Sequence, residues 1–162
     1  MKAELLMMLT VIVAMLLSIV DMPSWSLWAR PEWVLLVVFY WVLALPERFG
    51  IFTAALIGLL QDSLTASLIG KHALAYSLVA AVVVIVHKRM RMFDVWQQAG
   101  IIFFLIGIER LIKFWVDMIA GQPSAGLWFL FPALISALIW PWLMVVLRSV
   151  RRRFGLIRRI DR

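Results

Sequence analysis

No cysteine occurs in the 162 residues, which excludes disulfides, thiolate metal sites and cysteine nucleophiles. Acidic residues are scarce, nine Asp and Glu against sixteen Lys and Arg, for a net charge of +7. Histidine is scarcer still. His72 and His87 read as residues of two different loops, so no apolar segment contains one. There is no H-E-x-x-H spacing, Gly-rich phosphate loop, Walker lysine or dinucleotide fingerprint. Ser63 and Ser67 invite comparison with intramembrane hydrolases, but a hydroxyl nucleophile needs a base within hydrogen-bond reach. These absences argue against an enzyme, a metal site and a cofactor. No linker, internal repeat or low-complexity tract divides the chain, so residues 1–162 read as a single integral membrane domain.

Apolar residues are abundant: 65% of the chain is hydrophobic, with a mean hydropathy of +1.00. Soluble domains are usually about 45–50% apolar. A water-soluble fold of this size could not hide so much apolar surface. The expected class is an all-α polytopic membrane helix bundle. The basic residues sit at the ends of apolar runs, so their excess marks topology and not nucleic acid.

Six segments are expected: Leu5–Val20, Trp33–Leu45, Phe49–Ile69, Ala73–Val86, Ala99–Ala120 and Leu127–Leu147. The first is expected to remain as a membrane helix, because Ser24-Trp25-Ser26 after Pro23 is a poor signal-cleavage site. Trp25 and Trp28 suit the headgroup level. The second segment is unusual. It is fenced by Arg30-Pro31-Glu32 and Pro46-Glu47-Arg48. As a helix it would be only about 20 Å long, against a hydrocarbon core of about 30 Å. In the third, Ala54, Ala55 and Gly58 would let another backbone approach closely. His87 to Arg91 reads as a basic loop, and Gly121 to Gly126 as an uncharged polar turn. Residues 148–162 form a basic tail. Lys2, Arg48, Lys88, Arg89, Arg91 and the seven tail arginines fall on one side, with only Arg30 and Lys71 on the other. By the positive-inside bias both termini are cytoplasmic.

Several residues could carry chemistry. Trp33, Tyr40 and Trp41 share a helical face, which suits either aromatic packing or a stack for a ligand ring. Asp62 is a carboxylate within an apolar segment. It suits a proton or substrate relay, a contact to a partner helix, a buried hydrogen bond, or a cap where the helix breaks near Gly70. Glu109–Lys113 and Lys113–Asp117 are both i,i+4 pairs, and with Arg110 the four charges cancel. That ladder suits an ion path or a self-neutralised polar stripe. Pro141, between Trp140 and Trp142, removes a backbone donor and is expected to kink the sixth segment. In the tail, Phe154, Ile157 and Ile160 can share a face among arginines, which suits anionic lipids. A disordered tail serving only as a topology signal would carry the same charges.

Arg30-Pro31, Trp33, Tyr40-Trp41, Leu45-Pro46 and Arg48 together resemble the second-segment signature of the MreD family, small multi-pass rod-shape-determining membrane proteins of bacteria. Asp62, Gly70, Leu74, Trp96-Gln97-Gln98, Phe114-Trp115 and Trp140-Pro141-Trp142 match at similar spacings. Asp117 fits an acidic position after the Phe-Trp pair, whereas Glu109, Arg110 and Lys113 exceed the family pattern. The resemblance implies a non-enzymatic scaffold or regulator of cell elongation in the cytoplasmic (inner) membrane, supporting lateral peptidoglycan synthesis. It implies MreC as partner, near MreB, RodA and an elongation penicillin-binding protein. On this reading Arg30, Trp33, Tyr40 and Trp41 are partner-binding candidates. The family is also similar in hydropathy to the six-helix substrate-binding subunits of vitamin transporters. That leaves a small-molecule-binding transporter subunit as the alternative, with Asp62 and the fifth-segment charges lining a pocket.

Overall fold

A helix that is apolar on every side is stable only where protein or lipid covers all of it. The short fenced segment becomes such a helix. In a computed structural model of the chain, which describes residues 2–20, 30–121 and 130–153, it forms α2 (Trp33–Ala44). Every residue from Val34 to Leu43 is buried. The other elements are α1 (Lys2–Ile19), α3 (Ile51–Leu64), α4 (Lys71–Met90), α5 (Val95–Ile119) and α6 (Phe131–Arg153). Among the described residues there is no strand.

α2 packs against α1, α4 and α6, so its length need not match a bilayer. Trp41 Nε1 donates to Thr10 Oγ1 of α1 at 2.8 Å. Phe39 meets Trp140 of α6 edge to face, with centroids 5.1 Å apart. Tyr40 and Trp41 are both buried. Tyr40 and Trp41 of the aromatic face expected to meet a partner are therefore turned into the bundle, while Trp33 at its start is only partly buried. At the C-terminal end of α2, Arg91 donates to the Leu43 carbonyl at 2.7 and 2.9 Å and to that of Ala44 at 3.0 Å, satisfying acceptors that the helix leaves open.

α3 and α4 pack most closely. A Cβ at Gly58 would lie 2.5 Å from Ala73 Cα, so only glycine permits this approach. Ala54 is fully buried in the same helix. α3 ends at Leu64, earlier than hydropathy suggests, because polar groups take over its last turn. Thr65 Oγ1 donates to the Gln61 carbonyl, and the chain turns through Ala66 and Gly70, both at positive φ. In contrast, α4 runs on through His87, Lys88 and Arg89 to Met90, and α6 through Arg151 and Arg152 to Arg153. The expected basic loop at 87–91 is thus largely helix, since Lys and Arg are good helix formers and their charge marks the membrane edge without ending the helix. α5 opens on a capping box, in which Gln97 Oε1 accepts from the Asp94 N–H at 3.2 Å. Pro141 lies within α6, and the helix continues beyond it. Trp25, Trp28, the polar turn after Gly121 and the Phe154/Ile157/Ile160 face lie outside the described residues.

Outward-facing side chains remain strongly apolar. On α1, Leu5, Met8, Ile12 and Leu16 are more than half exposed. Phe104, Leu138 and Val145 extend this surface over α5 and α6. Exposed apolar surface on this scale marks contact with membrane or protein. α4 and α6 are long and apolar enough to cross a membrane, while α1, α2 and α3 are shorter apolar helices.

Candidate functional site

Successive helices alternate in direction. The C-terminal ends of α1, α3 and α5 therefore meet the N-terminal ends of α2, α4 and α6 at one end of the bundle. Polar side chains from all six gather there, around a cavity of about 310 Å³.

Glu32 stands immediately before α2. Its carboxylate lies 2.6 Å from Arg110 Nη2 and 3.0 Å from Lys113 Nζ. Its N–H donates to Ser136 Oγ of α6 at 3.0 Å. Burial raises the pKa of the Glu32 carboxyl, but Lys113 and Arg110 outweigh it and hold the group below the usual carboxylate range. Lys113 also lies 2.5 Å from Glu109, the expected i,i+4 pair. The second expected pair does not form. Asp117 instead takes Lys71 of α4 at 2.6 Å, because a cation on the facing helix reaches it while Lys113 is committed to Glu32 and Glu109.

Asp62 is fully buried and stitches the α3–α4 turn. It accepts from Ser67 Oγ at 2.8 Å, the Gly70 N–H at 2.8 Å, the His72 N–H at 2.9 Å and His72 Nδ1 at 2.7 Å. This is the cap foreseen near Gly70, and it satisfies the first donors of α4. His72 itself is the second residue of α4 and not a loop residue, contrary to the sequence reading. Ser67 Oγ is 3.3 Å from His72 Nδ1, the same nitrogen that faces Asp62. In a nucleophile–base–acid relay the hydroxyl and the carboxylate engage opposite ring nitrogens. Here both meet Nδ1, and the Ser67 hydroxyl donates to the carboxylate.

Of the residues singled out from sequence, Arg30, Trp33, Arg110, Lys113 and Asp117 line the cavity, with Glu109 buried beside Lys113. Arg30 Nη2 donates to the Val20 carbonyl at 3.3 Å. Asp62 joins the cavity wall through Ser67 and His72. Tyr40 and Trp41 are not part of it. Sequence reasoning missed Glu32, Lys71, His72 and Gln61, whose Nε2 donates to Ser18 Oγ at 3.0 Å. An acid placed just before an apolar run was the available signal for Glu32. Among the described residues, four carboxylates (Glu32, Asp62, Glu109, Asp117) face four cations (Arg30, Lys71, Arg110, Lys113), with no large excess of either sign. Such an arrangement ties helix ends together and suits water or a small polar group carrying both charges.

A protein-family model described as rod shape-determining protein MreD matches residues 1–150 of the chain. The rod shape-determining protein MreD of Haemophilus influenzae is 29% identical over 145 residues, covering 90% of this chain and 90% of that protein. No solved structure matches.

Proposed function

This chain belongs to the MreD family of rod shape-determining proteins, and from that membership we propose that it is a non-catalytic membrane scaffold of the cell-elongation machinery, binding MreC and supporting lateral peptidoglycan synthesis. The family match across residues 1–150 is the observation that carries this reading. The protein acts in the MreB/MreC system, near RodA and an elongation penicillin-binding protein. It sits in the inner membrane as a single domain of about six membrane segments, the second one short and central, with both termini and the 148–162 tail cytoplasmic. The lysine and arginine distribution supports that orientation. The polar cavity then opens away from the cytoplasm. Arg30 and Trp33, in its wall, are candidates for contact with the part of MreC that leaves the membrane.

The burial of Tyr40 and Trp41 moves the intramembrane contact elsewhere. We place it on the apolar groove of about 240 Å³ lined by Trp96, Gly100, Phe103, Phe104, Ala137 and Leu138, between α5 and α6. Small residues there let a transmembrane helix approach closely, which is how helices associate in lipid. Loss of the protein from the bacterium that encodes it should turn rods into spheres, and re-expression should restore them. Rods that persist without the protein would contradict the role.

A second reading, a small-molecule-binding transporter subunit with a fold like the vitamin-binding subunits, is favoured by one observation, the mixed-charge cavity of about 310 Å³. It predicts a ligand that co-purifies and is visible by native mass spectrometry. Protein with lipid alone would count against it.

A further inference from the structure

At the opposite end of the bundle, Arg91, Arg148 and Arg151 line a cavity of about 320 Å³ together with Tyr40, Gln98 and Met144. Three guanidinium groups converge there from two different elements, the end of α4 and the last turns of α6. Among the described residues no carboxylate lines the cavity. Among the described residues none of the three arginines forms a salt bridge. Arg91 and Arg148 are exposed and Arg151 is half-buried, whereas the half-buried Lys71 and Arg110 are matched by acids, Asp117 and Glu32.

The three arginines are not equivalent. Arg91 spends Nε and Nη2 on the α2 carbonyls, which fixes its position. Arg151 Nε is buried and has no hydrogen-bond partner among the described residues. A buried, unsatisfied donor on a charged group is costly, and native structures usually complete such groups. The Tyr40 hydroxyl in the same wall can hydrogen-bond an oxyanion. Gln98 is itself held, donating to the carbonyls of Met90 at 3.0 Å and Phe93 at 3.2 Å.

The geometry points to a phosphate-binding site in this cavity, which takes the phosphate of an anionic lipid headgroup or a free phosphate. Arginine forks match phosphate oxygens in bidentate fashion, and converging guanidiniums without acids provide the charge. The site goes beyond the scaffold role and does not depend on MreC binding. It also differs from diffuse attraction between a basic tail and a membrane, because it requires Arg148 and Arg151 in particular and not their neighbours.

The test uses the full chain, purified in detergent and in nanodiscs. Native mass spectrometry would measure retention of phosphatidylglycerol against phosphatidylcholine. A thermal-shift titration with inorganic phosphate would probe the free anion. Arg148→Gln with Arg151→Gln should lower binding of the preferred phosphate source at least about tenfold. Arg152→Gln with Arg153→Gln removes the same charge from two positions on the same helix end that do not line the cavity, and should change it little. Arg151→Lys keeps the charge but loses the fork, and should bind between wild type and the double variant. Phosphatidylglycerol retention without a phosphate response identifies a headgroup site, and a phosphate response without lipid preference identifies a free-anion site. Equal losses in the two double variants, or binding of neither probe by the wild type, would overturn the assignment.

Discussion

Glu32 accepts a hydrogen bond from Lys113 at 3.0 Å, although 81 residues separate them in sequence. That contact joins the start of α2 to the polar face of α5, and Arg110 reinforces it at 2.6 Å. It places a short, fully apolar helix at a fixed depth among longer ones.

Removing this carboxylate should cost more than a surface ion pair would. Glu32→Gln leaves Arg110 without its nearest acid and Lys113 with Glu109 alone, and is expected to destabilise the protein by about 3 kcal/mol. Glu32→Gln combined with Lys113→Met should lose less than the sum of the two single changes, because the members of one network are coupled. Unfolding in detergent, followed by circular dichroism, measures both.

The same residue sets a pH dependence. Its carboxyl, ordinarily near 4.5, is held down at about 2 in the folded protein. A depressed carboxylate pKa stabilises the fold above the unfolded value, and that contribution is lost as pH falls through the folded value. The stability difference between wild type and Glu32→Gln should therefore be constant above about pH 5 and shrink steadily towards pH 2. A difference that grows on acidification would contradict the ion-pair assignment.

Two glycines in different helices should behave in opposite ways. An added Cβ at Gly58 meets the Ala73 backbone at 2.5 Å, which cannot yield as a flexible side chain does. Gly58→Ala should cost about 1–3 kcal/mol. Nothing lies within 4 Å of a Cβ at Gly100, so Gly100→Ala should be neutral or slightly stabilising within its helix. Thermal unfolding of the two variants decides.

The absence of cysteine makes topology directly measurable. Ile69 and Met92 are 86% and 78% exposed at opposite ends of α4. A membrane-impermeant maleimide added to cells with a permeabilised outer membrane should label Ile69→Cys and spare Met92→Cys. The reverse pattern would invert the proposed orientation.

Much of this architecture was legible in the sequence, for identifiable reasons. α2 ends within one residue of its expected bounds, because Pro31 and Pro46 constrain the chain on either side. Gly58 was readable as a close-approach position, since a small residue in an apolar segment has little other use. The cap at Asp62 was one of its stated alternatives, and Gly70 marked where the turn had to fall. The partners of the charged residues were not legible. Spacing along α5 predicted Lys113–Asp117, but helix periodicity sees only one helix. Lys71 and Glu32 compete from other elements, and no local pattern announces them. The burial of Tyr40 and Trp41, but not of Trp33, was not legible for a related reason: on a helix apolar all round, an aromatic face does not reveal which side is covered.

The scaffold reading is tested most directly by co-purification with MreC. Gly100→Leu fills the groove between α5 and α6 from a position where the fold has room for a side chain. It should reduce the MreC recovered with the full chain at least about fivefold, a loss of roughly 1 kcal/mol. Ile85→Trp, a bulky change on the outer face of α4, should leave recovery unchanged. Wild-type recovery by Gly100→Leu at normal protein levels would contradict the proposed groove, and failure of the wild-type chain to retain MreC would contradict the scaffold role itself.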